Sequence, residues 1–429
     1  MSSVPSKVRL GYNLLVMVMW QVGNYVVPML TFPYLTHMLG PTHFGLLGYA
    51  TSIAVYGSLL TDWGFNLSGP RALIECRGDK REINELIWSV IFAKALLCIL
   101  SLLGLFLAYQ LHWIDPRAMP LILIAWTSVA GNVFTLSWVL QGLERFSQFA
   151  VVSLAGRFLT LPFVFLFVKS ADDVGYAIAI QSVAPVLTGV FSMLMVRKIG
   201  LLRRPAGAWR LIGKRLSQSA DMFLSTASVS LFGVANIVLL GAASTPDQVG
   251  LYAAADRIKT MGNMVPTQIN TVFYPRVSAL MLSNTRAAAK LTLRAIGLTF
   301  GITLLGVVVV YCASTYITQL ILGDAFIGAA SLLILLCTAA LFSNVAYTLG
   351  LQVLIPFGCG KIRSFTMLLA GALNVGITYR LIPMCGAGGA ALSFLIAEAA
   401  IFFVFVAVIL GSKRLRSHFT QLLNAQRNA

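Results

Sequence analysis

The sequence predicts an all-α polytopic membrane protein with twelve transmembrane helices and both termini in the cytoplasm. Three observations carry that reading. Hydrophobic residues make up 58% of the 429 residues and charged residues only 10%, against about 45–50% and 25% in a soluble domain. Mean hydropathy is +0.85. The net charge is nevertheless +17, and its cations are sorted along the chain. This composition excludes disorder, which needs low hydrophobicity. The apolar runs are also far longer than the ~10-residue alternating strands of a membrane barrel.

Apolar runs separated by short polar breaks place spans at 11–37, 43–65, 85–109, 118–140, 147–168 and 173–196. Six more follow at 216–243, 249–275, 292–315, 327–355, 362–382 and 387–411. Each is about the 20 residues that a bilayer core requires, or somewhat longer. The first run continues past thirty residues without an A-x-A site, so it reads as a span and not as a cleaved leader. No gap is long enough for a soluble domain. Function is therefore expected in the helices and their short connections.

Orientation follows from Lys and Arg. With the N-terminus in the cytoplasm, 24 of the 31 cations fall on cytoplasmic segments and only Arg117, Lys169 and Arg380 on the other side. The charge excess is thus a topology signal and a contact with anionic phospholipids, not a nucleic-acid site. An internal repeat appears at an offset of 205 residues: Pro41, Gly45, Leu46, Ala50, Ile53, Gly57, Pro70 and Arg71 recur as Pro246, Gly250, Leu251, Ala255, Ile258, Gly262, Pro275 and Arg276. It matches the second span to the eighth, so the two halves share one orientation. The expected organisation is a six-helix lobe over 1–197, a cytoplasmic linker over 198–215 and a second six-helix lobe over 216–429. Two such lobes around a central cavity suit a transporter.

Catalytic signatures are absent from the sequence. Gly358-Cys359-Gly360-Lys361-Ile362 has neither the first glycine nor the Ser/Thr of a P-loop. The four histidines are isolated, and the six cysteines form no C-x-x-C pair and read as small core residues. No cofactor is expected. Uphill transport would draw on a proton or sodium gradient or on downstream use of the product.

Four cations lie inside predicted spans: Lys94, Arg157, Arg257 and Lys259. Each would cost about 2.5–3.5 kcal/mol at mid-bilayer if it faced lipid. They are expected to line a wet cationic cavity for an anionic substrate or to pair with acids. Asp256 and Lys259, three apart on a helix, neutralise each other, which leaves Arg257 pointing away. Asp62 and Asp221 sit near the cytoplasmic face and suit a gate. Glu398 is mid-span and could carry a proton. Pro28 and Pro33 each remove a helical bond and crowd the carbonyl four residues back, at Asn24 and Met29. A break or kink in the first span is expected there, with Gln21, Asn24 and Thr31 adding polarity.

The residues Gly23-Asn24-Tyr25 to Pro28, Thr31-Phe32-Pro33-Tyr34-Leu35, Leu39-Gly40-Pro41 and Phe44-Gly45 resemble the N-terminal signature of Wzx-type O-antigen flippases. So do Gly64-Phe65-Asn66-Leu67, Phe92-Ala93-Lys94 and Tyr274-Pro275-Arg276. That family is the polysaccharide transporter branch of the multidrug/oligosaccharidyl-lipid/polysaccharide exporter (MOP) superfamily. The resemblance implies a MATE-like fold of two six-helix lobes. It implies movement of an undecaprenyl-pyrophosphate-linked oligosaccharide across a bacterial inner membrane, with no enzymatic step. It also implies a polysaccharide polymerase and a chain-length regulator as partners. By this reading Arg157, Arg257, Lys94, Lys259 and Asn24 bind substrate, and Asp62, Asp221, Asp256, Glu398, Arg276 and Pro28 serve gating or ion coupling. A cation-coupled drug exporter of the same broad fold is the alternative, although a cavity for cationic drugs should be acidic. A membrane glycosyltransferase or polymerase would need a larger periplasmic loop than this chain offers.

Overall fold

The computed structural model describes residues 7–76, 78–205 and 208–412. The predicted placement of the extreme termini, and of Arg77 and the cations beyond Ser412, falls outside the described residues. Every regular element among the described residues is helical. The chain separates into two compact units, 1–230 and 231–429.

The first unit contains α1 (Lys7–Asp62), α2 (Phe65–Glu75), α3 (Lys80–Gln110), α4 (Met119–Val133), α5 (Ser137–Gly142), α6 (Phe146–Phe167) and α7 (Val174–Lys198). It also holds the start of α8 (Ile212–Ala243). α7 packs on α4 and α6, and α1 packs on α3, α4 and α6. One apolar cluster joins Phe65, Leu86, Ile87, Trp138, Val139 and Leu140, all nearly or fully buried. Local start signals are clear. Asp79 caps α3 by accepting from the Arg81 amide at 2.7 Å. Ser170 and Asp173 form a reciprocal capping box ahead of α7.

The second unit contains the rest of α8, then α9 (Pro246–Gly262), α10 (Met264–Ser283), α11 (Thr285–Leu322), α12 (Ala329–Leu349) and α13 (Gly360–Gly411). α12 is its centre and packs on α9, α11 and α13. A single π-helical turn, Gly350–Leu354, closes α12.

Among the described residues, eight helices are long and apolar enough to cross a membrane. This agrees with a multi-pass helical protein, and the differences from twelve separate runs have physical causes. α1 carries two predicted spans and α13 carries two more. α1 departs from helical dihedrals only at Gly40 (φ 63°, ψ 177°), and α13 only at Gly386 (φ 51°, ψ −130°). A positive φ strains any residue with a Cβ, and Gly40 has nothing within 4 Å of where that atom would lie. Conformation, not space, therefore demands glycine there. The run 249–275 is divided between α9 and α10 near Asn263, and its polar residues Asp256, Arg257 and Lys259 keep α9 from being an apolar span. Among the described residues, α8 includes the short apolar stretch Val234–Ala243.

The first span differs most from expectation. α1 keeps helical dihedrals through Pro28 and Pro33, and its break falls at Gly40. A proline costs a helix mainly its missing N–H and a local clash. Here a side chain from another helix takes part of that cost. The internal repeat has a direct structural counterpart: Pro41 follows the break at Gly40, and Pro246 is the first residue of α9. A fixed φ and a missing N–H suit proline to the first helical turn.

Candidate functional site

In the first unit two intramembrane cations, Lys94 and Arg157, each reach a neighbouring helix. Lys94 on α3 is only 1% exposed. Its Nζ donates to Asp62 Oδ1 at 2.8 Å, at the end of α1, and to the main-chain oxygen of Asn132 at 3.4 Å. Asn132 lies in the last turn of α4, where helix carbonyls lose their intrahelical donors and carry partial negative charge. Lys94 thus ties three helices through one buried ammonium. The sequence reading left Lys94 between a cavity and an acidic partner and placed Asp62 near the cytoplasmic face; the structure joins the two residues directly.

Arg157 stands near the middle of α6 and is exposed. Its Nη1 donates to the Asn24 main-chain oxygen at 3.4 Å. Residue 28 is proline, so this oxygen lacks the amide that would normally bond it from one turn ahead. Gly23 permits the approach, because a Cβ there would lie 2.9 Å from the Leu154 side chain on α6. The Asn24 side-chain amide donates to the Trp20 oxygen at 3.0 Å, within its own helix.

Between α1, α4 and α7 lies a cavity of about 350 Å³, lined among others by Thr51, Ser58, Ser128, Asn132, Gln181 and Ser182. These neutral hydroxyls and amides can hydrogen-bond a polar guest without any charge. None of this lining was singled out from the sequence. Ser and Thr barely disturb hydropathy, so Asn132 and Gln181, amides within predicted spans, were the available signal.

In the second unit Lys259, buried on α9, pairs with Asp256 as the i,i+3 spacing predicts. Its ammonium sits 4.4 Å from the centre of the Phe394 ring on α13. Glu398, one turn beyond Phe394, is 8% exposed and feels the charge of Lys259. A cation and two carboxylates therefore share one apolar neighbourhood. Arg257 on α9 and Arg276 on α10 are exposed, and Arg257 feels the charge of its neighbour Asp256. Asp221, in the first unit on α8, is likewise exposed.

Two buried neutral networks complete the second unit. Asn236 Nδ2 donates to Tyr252 Oη and to the Ala390 oxygen, both at 3.0 Å, while its Oδ1 accepts from Asn374 at 2.8 Å and Thr378 at 3.2 Å. Thr378 and Ser393 share a further hydroxyl contact. Asn344 donates to Asn263 Oδ1 at 2.9 Å and Thr303 Oγ1 at 3.2 Å. Asn270 links Thr348 and Gln352, each at 2.9 Å. Gln352 lies in the π-helical turn, a departure from α geometry often found at functional positions. None of these residues was singled out from sequence, because an amide in an apolar run changes neither charge nor span length.

Comparison with known proteins places these features in context. Residues 10–281 match the family described as "Polysaccharide biosynthesis protein". Two curated relatives carry the name "Putative O-antigen transporter". The one from Escherichia coli (strain K12) is 25% identical over 419 residues, covering 96% of this chain and 99% of its own length. The one from Shigella dysenteriae is 24% identical over 390 residues, covering 91% and 97%. Among solved structures, the lipid II flippase MurJ in an inward closed conformation superposes with a TM-score of 0.75 at 14% identity, covering 95% of this chain and 91% of that one. An inward-facing MATE family transporter of the MOP superfamily gives 0.67 at 14% identity, covering 94% and 99%. At such identities these two likenesses concern the fold.

Proposed function

The chain belongs to the polysaccharide biosynthesis protein family, and from that premise we propose that it is a flippase for undecaprenyl-pyrophosphate-linked O-antigen repeat units. It carries them from the cytoplasmic to the periplasmic leaflet of a bacterial inner membrane by alternating access. Twelve crossings with both termini in the cytoplasm are part of this reading, supported by the cation distribution. The names of two relatives aligned over nearly their full length support the substrate class.

The observation that carries the proposal is Arg157, an exposed guanidinium halfway along a 22-residue apolar helix. Guanidinium forks bind phosphate oxygens in pairs, and a pyrophosphate offers several. Arg257, also exposed, is its counterpart on the second unit. Lys94 and Lys259 are held by Asp62 and Asp256; they meet substrate only if phosphate replaces those carboxylates. The neutral cavity lined by Thr51, Ser128, Asn132 and Gln181 suits sugar hydroxyls. Asp256, Lys259 and Glu398 form the coupling group, and Pro28, Asp221 and Arg276 serve gating.

Complementation of a flippase-null strain tests the reading. The wild-type chain should restore surface polysaccharide, and Arg157→Ala should not, at equal protein level in the membrane. Drug efflux without restored polysaccharide would instead favour a MATE-type exporter.

A further inference from the structure

Beyond the transport path, the first unit carries a groove at the end of α7. It encloses about 670 Å³, and Trp88, Leu194, Arg197, Leu202, Arg203 and Arg204 are among its lining residues. Three of its nine lining residues are arginines, the other six are apolar, and no acid is among them. Leu194 is 57% exposed, and Val190, one turn before it, is 46% exposed. That face of α7 is therefore open to hydrocarbon. The three arginines follow directly, where the apolar run ends.

The arginines are built into place. Asn84 on α3 accepts from the Arg203 amide at 2.6 Å and donates to the Arg204 carbonyl at 3.2 Å. Trp88 Nε1 donates to the Arg203 carbonyl at 2.6 Å. Three bonds from one helix thus fix the backbone of two successive arginines, and both side chains remain exposed. The last carbonyls of α7 are already occupied. Those of Met195, Val196 and Arg197 accept from the amides of Ile199, Leu201 and Gly200. They do not compete for the guanidiniums. An indole with its N–H on the backbone and its ring beside apolar side chains is the arrangement favoured at a membrane interface.

We propose that this groove binds an anionic phospholipid. Its phosphate is held by Arg197, Arg203 and Arg204, and an acyl chain lies along Val190, Leu194 and Trp88. The charge of the site and the half-exposed aliphatic face beside it match the two ends of such a lipid. Bound there, the lipid would clamp the segment after α7 to α3.

Native mass spectrometry of the full-length protein in detergent tests the proposal, using phosphatidylglycerol and phosphatidylcholine with the same acyl chains. The wild type should retain phosphatidylglycerol in preference to phosphatidylcholine. The variant R197Q/R203Q/R204Q should lose that retention by more than about tenfold, and R197Q alone by about fivefold, since each interfacial arginine contributes on the order of 1 kcal/mol. The charge-matched variant R286Q/K290Q/R294Q on α11 should retain it. R197Q alters a side chain outside the Asn84 and Trp88 bonds, so it reports on the site even if the triple variant fails to fold. Equal losses in both triple variants would reduce the effect to bulk charge and overturn the site, as would unchanged retention in R197Q. Displacement of phosphatidylglycerol by undecaprenyl pyrophosphate at equal concentration would assign the groove to substrate and overturn it too. None of these outcomes depends on transport, so the proposal and the flippase reading stand or fall separately.

Discussion

The guanidinium of Arg157 donates to the main-chain oxygen of Asn24, the carbonyl whose helical donor is removed by Pro28. A defect in one helix is thereby matched by a charge from another. The same contact ties the middle of α6 to α1.

Arg157→Ala should abolish surface polysaccharide in a complemented null strain while the protein stays in the membrane. Arg157→Lys should restore part of it, because the charge remains and the fork is lost. Full activity of the alanine variant would overturn the role of this cation in substrate binding.

Pro28→Ala restores an amide to the Asn24 oxygen and sets it in competition with Arg157. The variant should unfold at higher temperature in detergent, by up to the ~3 kcal/mol that an interior proline costs, and transport should fall. In a double-mutant cycle, the effect of Arg157→Ala on stability should shrink by about 1 kcal/mol once Pro28 is replaced. Additive effects would show that the contact is incidental.

Breaking the buried Lys94–Asp62 pair from one side should destabilise the first unit by about 3–5 kcal/mol, because a charge is left without its partner. Lys94→Met combined with Asp62→Leu should recover most of that loss. Thermal unfolding of the purified variants reads both effects. A pair that is also a gate would regain stability in the double variant without regaining transport.

Glu398→Gln tests coupling. In proteoliposomes, the wild type should respond to an imposed pH gradient and the variant should not, with Asp256→Asn acting in the same direction. An unchanged response in Glu398→Gln would dismiss this carboxyl as a proton carrier.

Asp173, in the exposed capping turn that precedes α7, offers a pH-dependent reading at the very edge of a span. Its carboxylate accepts from the amides of Lys169 and Ser170 and from the Ser170 hydroxyl, which holds its pKa below the usual carboxylate value. The depressed value means the cap contributes fully above the unfolded pKa and is lost as pH falls through the folded one. The protection of the Ser170 amide, its exchange rate measured against the intrinsic rate at each pH, should fall on acidification in the wild type. In Asp173→Ala that protection should be low at every pH.

What the sequence reveals and conceals here follows from how each signal is encoded. Hydropathy alone makes the helical membrane class plain, and the i,i+3 spacing of Asp256 and Lys259 shows their pairing. Lys94 and Asp62 are 32 residues apart, and only the packing of α3 on α1 brings them together. The Asn236 and Asn270 networks are equally silent, because an amide surrounded by leucines shifts neither charge nor periodicity. Pro28 and Pro33 predict a break that α1 does not show, since one carbonyl left behind is met by a guanidinium 133 residues away.

The glycine breaks in α1 and α13 also limit how this protein can change. Successive helices meet there on one residue, Gly40 or Gly386, with helical dihedrals on either side. Such a junction holds no spare peptide to lengthen, cut or exchange. An epitope inserted around 112–117 has a turn to occupy, whereas one inserted at Gly40 would force two helices out of register. Adaptation to a new cargo near these junctions is therefore confined to point changes along the helices, and a chimera should be spliced elsewhere.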